Sequence, residues 1–366
     1  VGYAASRYAE GSNNVSLGHS ALKGVSGFDG NNNVAIGYEA MDAVTDGEEA
    51  NIAIGSGSMG AVNESSSHHA DANIAIGYNA LTGGTLTDGN LSHNIAIGYE
   101  ALDATGANDQ LGTIAIGYAA LGALTSGGSN TAIGYEAMLY QTDGANNVAL
   151  GYKALRNADN GESLNTVIGT KACEFLNHAS SDGNTIVGTQ ANVGGTGART
   201  YNTAMGYRAM GSGNTQNNIG ADENVFIGAF SGNGTWTGDT SNYNTAIGAY
   251  TMDANLDGAL YNVAVGYQAL STQTSGDYNT VVGGQAGLDQ TTAAANSFYG
   301  FRAGYDIIGG GENTFIGSGG SYINRKRSWW WWNYNYCRKS YDSSWIPSTL
   351  WFDIWSKKYC NRFLFS

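Results

Sequence analysis

The residues of this chain that could do chemistry are few, and they lie scattered between apolar segments. The densest group is "SSSHHAD", which places His68, His69 and Asp71 within four positions. A zinc site needs three or four ligands converging on one point. Adjacent histidines on an extended segment point apart, and no Cys or third His stands near, so a solvated loop is the expectation here. Acids recur in "TDGEEA" (45–50), "TDGN" (87–90), "AND" (107–109) and "ADE" (221–223). Asp and Asn in such settings accept hydrogen bonds from their own backbone and make turns. Their hard oxygens leave Ca2+ in the Asp/Asn-rich loops as the one cofactor option, although no EF-hand and no calcium-binding nonapeptide repeat is present. "GSGSMG" (55–60) and "GGTG" (194–197) are glycine-rich. Neither stands between a strand and a helix with a phosphate-binding Lys, so neither reads as a phosphate cradle. No clustered acid pair and no nucleophile–base pair emerges. The expectation is a protein that is not an enzyme, with no catalytic residue, no resident cofactor and no metal.

The elements that carry these loops are written as one sentence repeated. "NIAIGYEAL" (94–102) has near-copies at Asn33, Asn73 and Asn130, and aligning all copies on the central Gly gives 18 of them, 16 to 22 residues apart. A period of this size identifies a solenoid, in which one coil cannot bury its own apolar face without the next. Four residues before the Gly, 16 of 17 copies carry Asn; Thr113 is the exception. Three residues after it, 14 of 18 carry Ala. β-Branched residues, a fixed Gly and a polar loop every dozen residues read as short strands. The fold expected is all-β: a parallel β-solenoid of about 18 coils, on the order of 80 Å long at about 4.8 Å per coil, over residues 1–320.

Each repeated residue type has a physical reason. Stacked Asn side chains can donate to one neighbour and accept from the other, forming a ladder. That predicts structural roles for Asn33, Asn51, Asn73, Asn94, Asn130, Asn147, Asn165, Asn184 and Asn202. The Gly column, including Gly37, Gly77, Gly98, Gly117, Gly134 and Gly151, fits a corner where a Cβ would clash or φ is positive. Alternation sends Ile95 and Ile97 one way and Ala96 the other. The larger Ile face is expected to form the coil's core, and the Ala face to allow another wall or chain to approach closely. Thr131, Thr166, Thr185, Thr203, Thr245, Thr280 and Thr314 share a column with Val and Ile, which reads as inward-facing and argues against an ice-binding Thr array. Glu100, at a position that varies from copy to copy, is expected to face solvent. Tyr follows the Gly in nine of 18 copies. A Tyr column packs aromatic faces along the rod, and a carbohydrate-stacking face is the alternative use. Cys173 sits where Leu or Met usually stands, and reads as a small buried hydrophobe.

Composition sets further bounds. Gly is 55 of 366 residues, Pro occurs once, and only 13% of residues are charged. Collagen's triplet Gly is absent. From Val1 to Asn324 there are 8 Lys/Arg against 28 Asp/Glu, and from Arg325 to Ser366 the balance is 8 against 2. So acidic a body repels nucleic acid. No apolar run approaches the length of a membrane-spanning helix. The first residues, "VGYAAS", lie inside a motif copy, so Val1 is expected to mark a processing site or a fragment edge.

The copies resemble the head repeats of trimeric autotransporter adhesins of the YadA-like (Hep/Hag) type and the "NTAIGYxAL" repeats of phage tail-fibre-like proteins. Asn94, Ala96, Ile97, Gly98 and Ala101, with their equivalents, carry the likeness. It implies a left-handed β-roll, a homotrimer, and display outside a cell, on a bacterial surface or a virion. The longer period and the frequent Tyr depart from the adhesin pattern. The functional expectation is a rod-like shaft or head of an extracellular adhesin or tail fibre, binding itself and, through its loops, a host-surface glycan or protein receptor. A self-assembling filament of rods stacked end to end is the alternative, and a polysaccharide-degrading tailspike a third.

From residue 321 the repeat stops. Residues 321–366 hold seven of the eight Trp, Pro347, Cys337 and Cys360. Three readings stay open. The segment caps the last coil or trimerises the chain; it contacts a partner or membrane interface through Trp and Lys/Arg; or it is frame-shifted, because the codon for Trp329–Trp332 read one base later encodes Gly. Peptide mass mapping across the Trp run separates the last reading from the others.

Overall fold

The computed structural model describes residues 1–319 apart from 26, 46, 63–68, 85–89, 106–108, 159–160, 177, 179, 193–196, 212–219 and 237. The tail (321–366), His68 and most of "GGTG" therefore lie outside the described residues. Among the described residues there is no helix. The main sheet has 17 strands, all parallel, each paired with the strand of the next repeat. Every main-sheet strand is three residues long, from Val15–Leu17 to Thr314–Ile316. The copy at Gly2 supplies a turn but no strand. A second, two-stranded sheet pairs Leu91–Ser92 with Gln110–Leu111.

Register is strict. Ile74 faces Ile95, Ala75 faces Ala96 and Ile76 faces Ile97, and the same alignment repeats at every step. With such stacking, each coil's backbone hydrogen bonds go to its two neighbours. The Ile95 N–H donates to the Thr113 carbonyl at 2.8 Å, and the Gly98 N–H donates back to the Ile76 carbonyl at 2.8 Å. Each coil thus needs the next to satisfy its polar backbone, and the result is a parallel β-solenoid.

The corner at Gly allows no other residue. Gly98 has φ +138°, and a Cβ there would lie 2.2 Å from the Gly117 carbonyl oxygen of the next coil. The chain then alternates its handedness: Glu100 (φ 49°) and Leu102 (φ 51°) flank Ala101 in the left-handed region. Each such residue costs about 1–2 kcal/mol. Both strained N–H groups find carbonyls on neighbouring coils, Glu100 to Tyr78 at 2.9 Å and Leu102 to Ala120 at 3.0 Å. This zig-zag lets two consecutive side chains, Ala101 and Leu102, both reach the interior, where each is fully buried.

The core differs from expectation in its facing. Ala96 and its column are fully buried, while Ile95 and Ile97 are partly exposed; the buried centre holds from Val34–Ile36 through Ser297–Tyr299. The Ile face is therefore the outer surface, and the interior is filled by Ala96, Ala101 and Leu102. The reason is volume. The turn already sends a Leu or Met inward, as with Met41, Leu81, Leu102, Leu121 and Met138. A coil of 16 to 22 residues has no room for two large aliphatics from the strand as well. The Thr/Val/Ile column beginning the strand, read as inward, likewise faces outward, with Thr131, Thr166 and Thr203 partly exposed and Thr185 and Thr314 exposed.

Candidate functional site

The chemistry of the described surface is arranged in columns parallel to the rod. The innermost column is the Asn ladder. Asn51 is representative: its backbone N–H and its Nδ2 both donate to Asn33 Oδ1, at 2.9 and 3.2 Å. Its Nδ2 also donates to the Ala70 carbonyl at 2.7 Å, three residues before the next ladder residue, Asn73. Asn73 and Asn94 repeat this, as do Asn147, Asn165, Asn184 and Asn202. Asn33 and Asn130 anchor the starts of the two runs through the Glu48 and Gly144 carbonyls. All are buried, and a buried amide with every position occupied stabilises where a bare one would cost 1–3 kcal/mol, to about that order.

The ladder breaks once. Thr113 donates its backbone N–H to Asn94 Oδ1 at 2.8 Å, but its buried hydroxyl has no hydrogen-bond partner. The side-chain links resume only with Asn147 on Asn130.

A second ladder, missed in the sequence, runs two residues before the first. Asp71 Oδ1 accepts the Glu49 N–H at 2.8 Å, Asp182 Oδ1 the Ser163 N–H at 2.7 Å, and Asp277 Oδ1 the Leu260 N–H at 2.8 Å. Asn242 and Ser163 serve Asp222 and Ala145 in the same way. Of the loop acids expected to hold their own turns, Glu48 does so, its Oε1 accepting the Thr45 N–H at 3.1 Å, whereas Asp109 and Asp222 hold the preceding coil through the Asn90 and Thr200 N–H groups. The signal available was the recurrence of Asp, Asn or Ser at that offset from the ladder Asn.

Glu136 Oε2 holds both Arg156 Nε and Lys153 Nζ, at 2.6 and 3.6 Å. His69 is exposed and lends its backbone N–H to Asn90 Oδ1. Among the described residues no three of His, Cys, Asp and Glu come together as metal ligands. Cys173 is buried and free, its thiol pushed up to about 12 chiefly by desolvation. Asp103 is pushed up to about 6, by burial first and by the neighbouring Glu100 second. Glu100 itself is only partly exposed; Tyr99 beside it is the more exposed residue.

The outer face carries the remaining columns. Two are the aliphatic and Thr positions of the strand, all-aliphatic over Val34/Ile36, Ile52/Ile54, Ile74/Ile76, Ile95/Ile97 and Ile114/Ile116. Beside them runs the aromatic column. Tyr78, Tyr99, Tyr118, Tyr135 and Tyr152 stack with centroids 5.1, 5.2, 4.9 and 5.4 Å apart. Tyr243, Tyr261 and Tyr278 form a shorter stack at another corner, at 4.7 and 5.3 Å. The hydroxyls of Tyr38, Tyr99 and Tyr135 sit against Glu39, Glu100 and Glu136, which push these phenols up. No helix among the described residues is long and apolar enough to cross a membrane.

The residues and geometry define a class: a parallel β-solenoid repeat protein with internal side-chain ladders and an outward apolar–aromatic face. The chain matches no family model, and no curated protein and no solved structure matches it.

Proposed function

We propose that the chain is a structural rod of an extracellular surface fibre, of the adhesin or tail-fibre kind, that works as an assembly of identical copies. The observation that carries this reading is the outward face. Seventeen strands rising about 4.8 Å each make a strip about 77 Å long, and the span from the strand's first residue to the Tyr is about 13 Å wide. The resulting face, built of aliphatic, Thr and aromatic positions, is on the order of 1,000 Å² and reaches the roughly 800 Å² per partner of stable complexes. Copies of one chain share its pitch, so their outer ridges, aliphatic in both columns from Val34/Ile36 to Ile114/Ile116, interdigitate in register. The variable loops and the loop-side Tyr stacks then remain for a glycan or protein receptor on the opposing surface. In this reading the chain is not an enzyme and needs no cofactor.

Sedimentation of the purified chain tests it. A discrete small oligomer, a trimer by the repeat's resemblance, is the expected species. Ile95→Lys with Ile97→Lys places two charges on the outer face without touching the core, and is expected to release monomers. A wild-type monomer at micromolar concentration, or an oligomer indifferent to both lysines, overturns the reading. An open-ended polymer points to the end-to-end filament instead.

A further inference from the structure

The aromatic column has a vacancy at Ser56. Rings stack from Tyr3 through His19 to Tyr38, at 5.3 and 5.2 Å, and stacking resumes at Tyr78. Between them the same position is Ser56, followed by Gly57. The backbone does not break there: the Gly57 N–H donates to the Tyr38 carbonyl at 2.9 Å, and the Asn79 N–H to the Ser56 carbonyl at 3.0 Å. Tyr38 and Tyr78 are thus two coils apart on one line, with planes about 9.6 Å apart. Their inner faces look across a gap whose floor carries the Ser56 hydroxymethyl group, with the Asn79 amide oxygen lying against Gly57 beside it. The exposures agree: Tyr38 is 53% and Tyr78 48% exposed, against 43% for Tyr99, which has a ring on each side.

What belongs between two parallel rings at this separation is one flat group, about 4.8 Å from each. The chain itself indicates its charge. At three other rings of the column with an open side, a cation of the chain lies over the ring: Lys153 over Tyr152 at 5.1 Å, Arg208 over Tyr207 at 5.9 Å, and Arg302 over Phe301 at 5.2 Å. At the Ser56 gap the equivalent positions are Glu39 and Asn79, and among the described residues no cation lies over Tyr38 or Tyr78. Glu39 sits against the Tyr38 hydroxyl; Asp42 is pushed up by burial and by Glu39, while the charge of Lys23 acts to lower it. Two open π faces and a carboxylate at the rim suit a planar cation, because a guanidinium stacks on rings and pairs with carboxylate together.

We propose that the Tyr38–Ser56–Tyr78 gap is a recognition slot for the guanidinium of an arginine side chain presented by a partner polypeptide. The slot lies on an acidic body of 28 Asp/Glu against 8 Lys/Arg up to Asn324, which draws basic partners toward it. The proposal does not depend on how many copies of the chain associate.

The test titrates the full chain, carrying 13C-labelled tyrosine, with N-acetyl-arginine methylamide, following ring resonances assigned through Tyr38→Phe and Tyr78→Phe. Saturable shifts of both rings are expected. The uncharged citrulline analogue is expected to bind about tenfold more weakly or worse, and the lysine analogue to fall between. Ser56→Tyr fills the gap with the residue the column already uses, and is expected to abolish the shifts. Glu39→Gln, outside the core, weakens arginine severalfold and checks the slot should the first variant fold poorly. Equal binding of arginine and citrulline, tighter binding of methyl β-glucoside or indole, unaltered binding in both variants, or no saturable shift with any probe overturns the proposal.

Discussion

The coil at Gly98 and the coil at Gly228 fill the same interior in opposite ways. In the first, the strand gives a small residue, Ala96, and the turn a large one, Leu102. In the second, the strand gives Phe226 and the turn Gly232, where a Cβ would lie 2.5 Å from the Phe ring. Trp236 fills the remaining space, its ring edge-on to Phe226 at 5.5 Å and its Nε1–H donating to the Gly232 carbonyl at 3.1 Å. Phe298 with Gly304 repeats the exchange. The corner residues and the pitch do not change between these coils. The difference teaches that the ladders and the Gly column set the coil's shape, and that core filling is adjusted within it at constant volume.

That separation can be broken at the corner first. Gly98→Val and Gly228→Val are both expected to cost about 5 kcal/mol or more, because each new Cβ meets a Gly carbonyl on the next coil at 2.2 or 2.4 Å. Urea unfolding measures it; tolerance at either site would mean that the corner can shift. Core filling comes next. Phe226→Ala leaves a cavity worth about 3–5 kcal/mol, whereas adding Gly232→Leu, which rebuilds the Gly98 arrangement, recovers most of it. Leu is admissible there because the equivalent Leu102 already has φ 51°, near the 64° of Gly232. Additive losses in the double variant would refute the exchange.

Smaller effects sharpen the picture. Thr113→Asn supplies the Oδ1 that Asn130 lacks and removes a buried unpaired hydroxyl, for a gain of about 1–2 kcal/mol; a neutral result would mean that this step is not limiting. Asp103 distinguishes the two coils by pH, since the Gly228 coil has Asn233 at that place. Its carboxyl binds the proton more tightly folded, near 6, than unfolded. Charging it therefore opposes folding: stability falls as pH rises from about 4 through 6, and is regained on acidification. Because the group is half-exposed, solvent screening keeps this under about 1 kcal/mol. Comparing urea midpoints at pH 5 and pH 7 for wild type and Asp103→Asn isolates it from Asp42 and Asp253, which are also raised.

The fold was legible in the sequence because stacking repeats each requirement many times over. An Asn at a corner and a Gly beside a carbonyl have one physical explanation each. Which face of Ile95–Ala96–Ile97 turns inward was not legible, since a three-residue strand with apolar residues on both sides gives alternation without direction. The deciding residue was Leu102, and its inward aim depends on left-handed conformations at Glu100 and Leu102 that non-glycine residues seldom adopt. The Asp ladder escaped for a related reason: a loop acid that holds its own turn and one that holds the coil before it look alike in sequence. The slot at Ser56 follows from a single departure from Tyr, which gains meaning only once the rings on either side are known to stack.

The Asn ladder also gives the rod an electrical direction. Peptide dipoles in the strands alternate and largely cancel. The side-chain amides do not: from Asn147 to Asn313 each ladder Nδ2 donates to the Oδ1 of the coil before it. Amide dipoles of about 3.5 D each thus add along the axis with their positive ends toward the N-terminal coils, as in a helix. Thr113 divides this column into two aligned segments in series. The rod is therefore a polar object, able to orient in a field and to tell a head-to-tail neighbour from a head-to-head one.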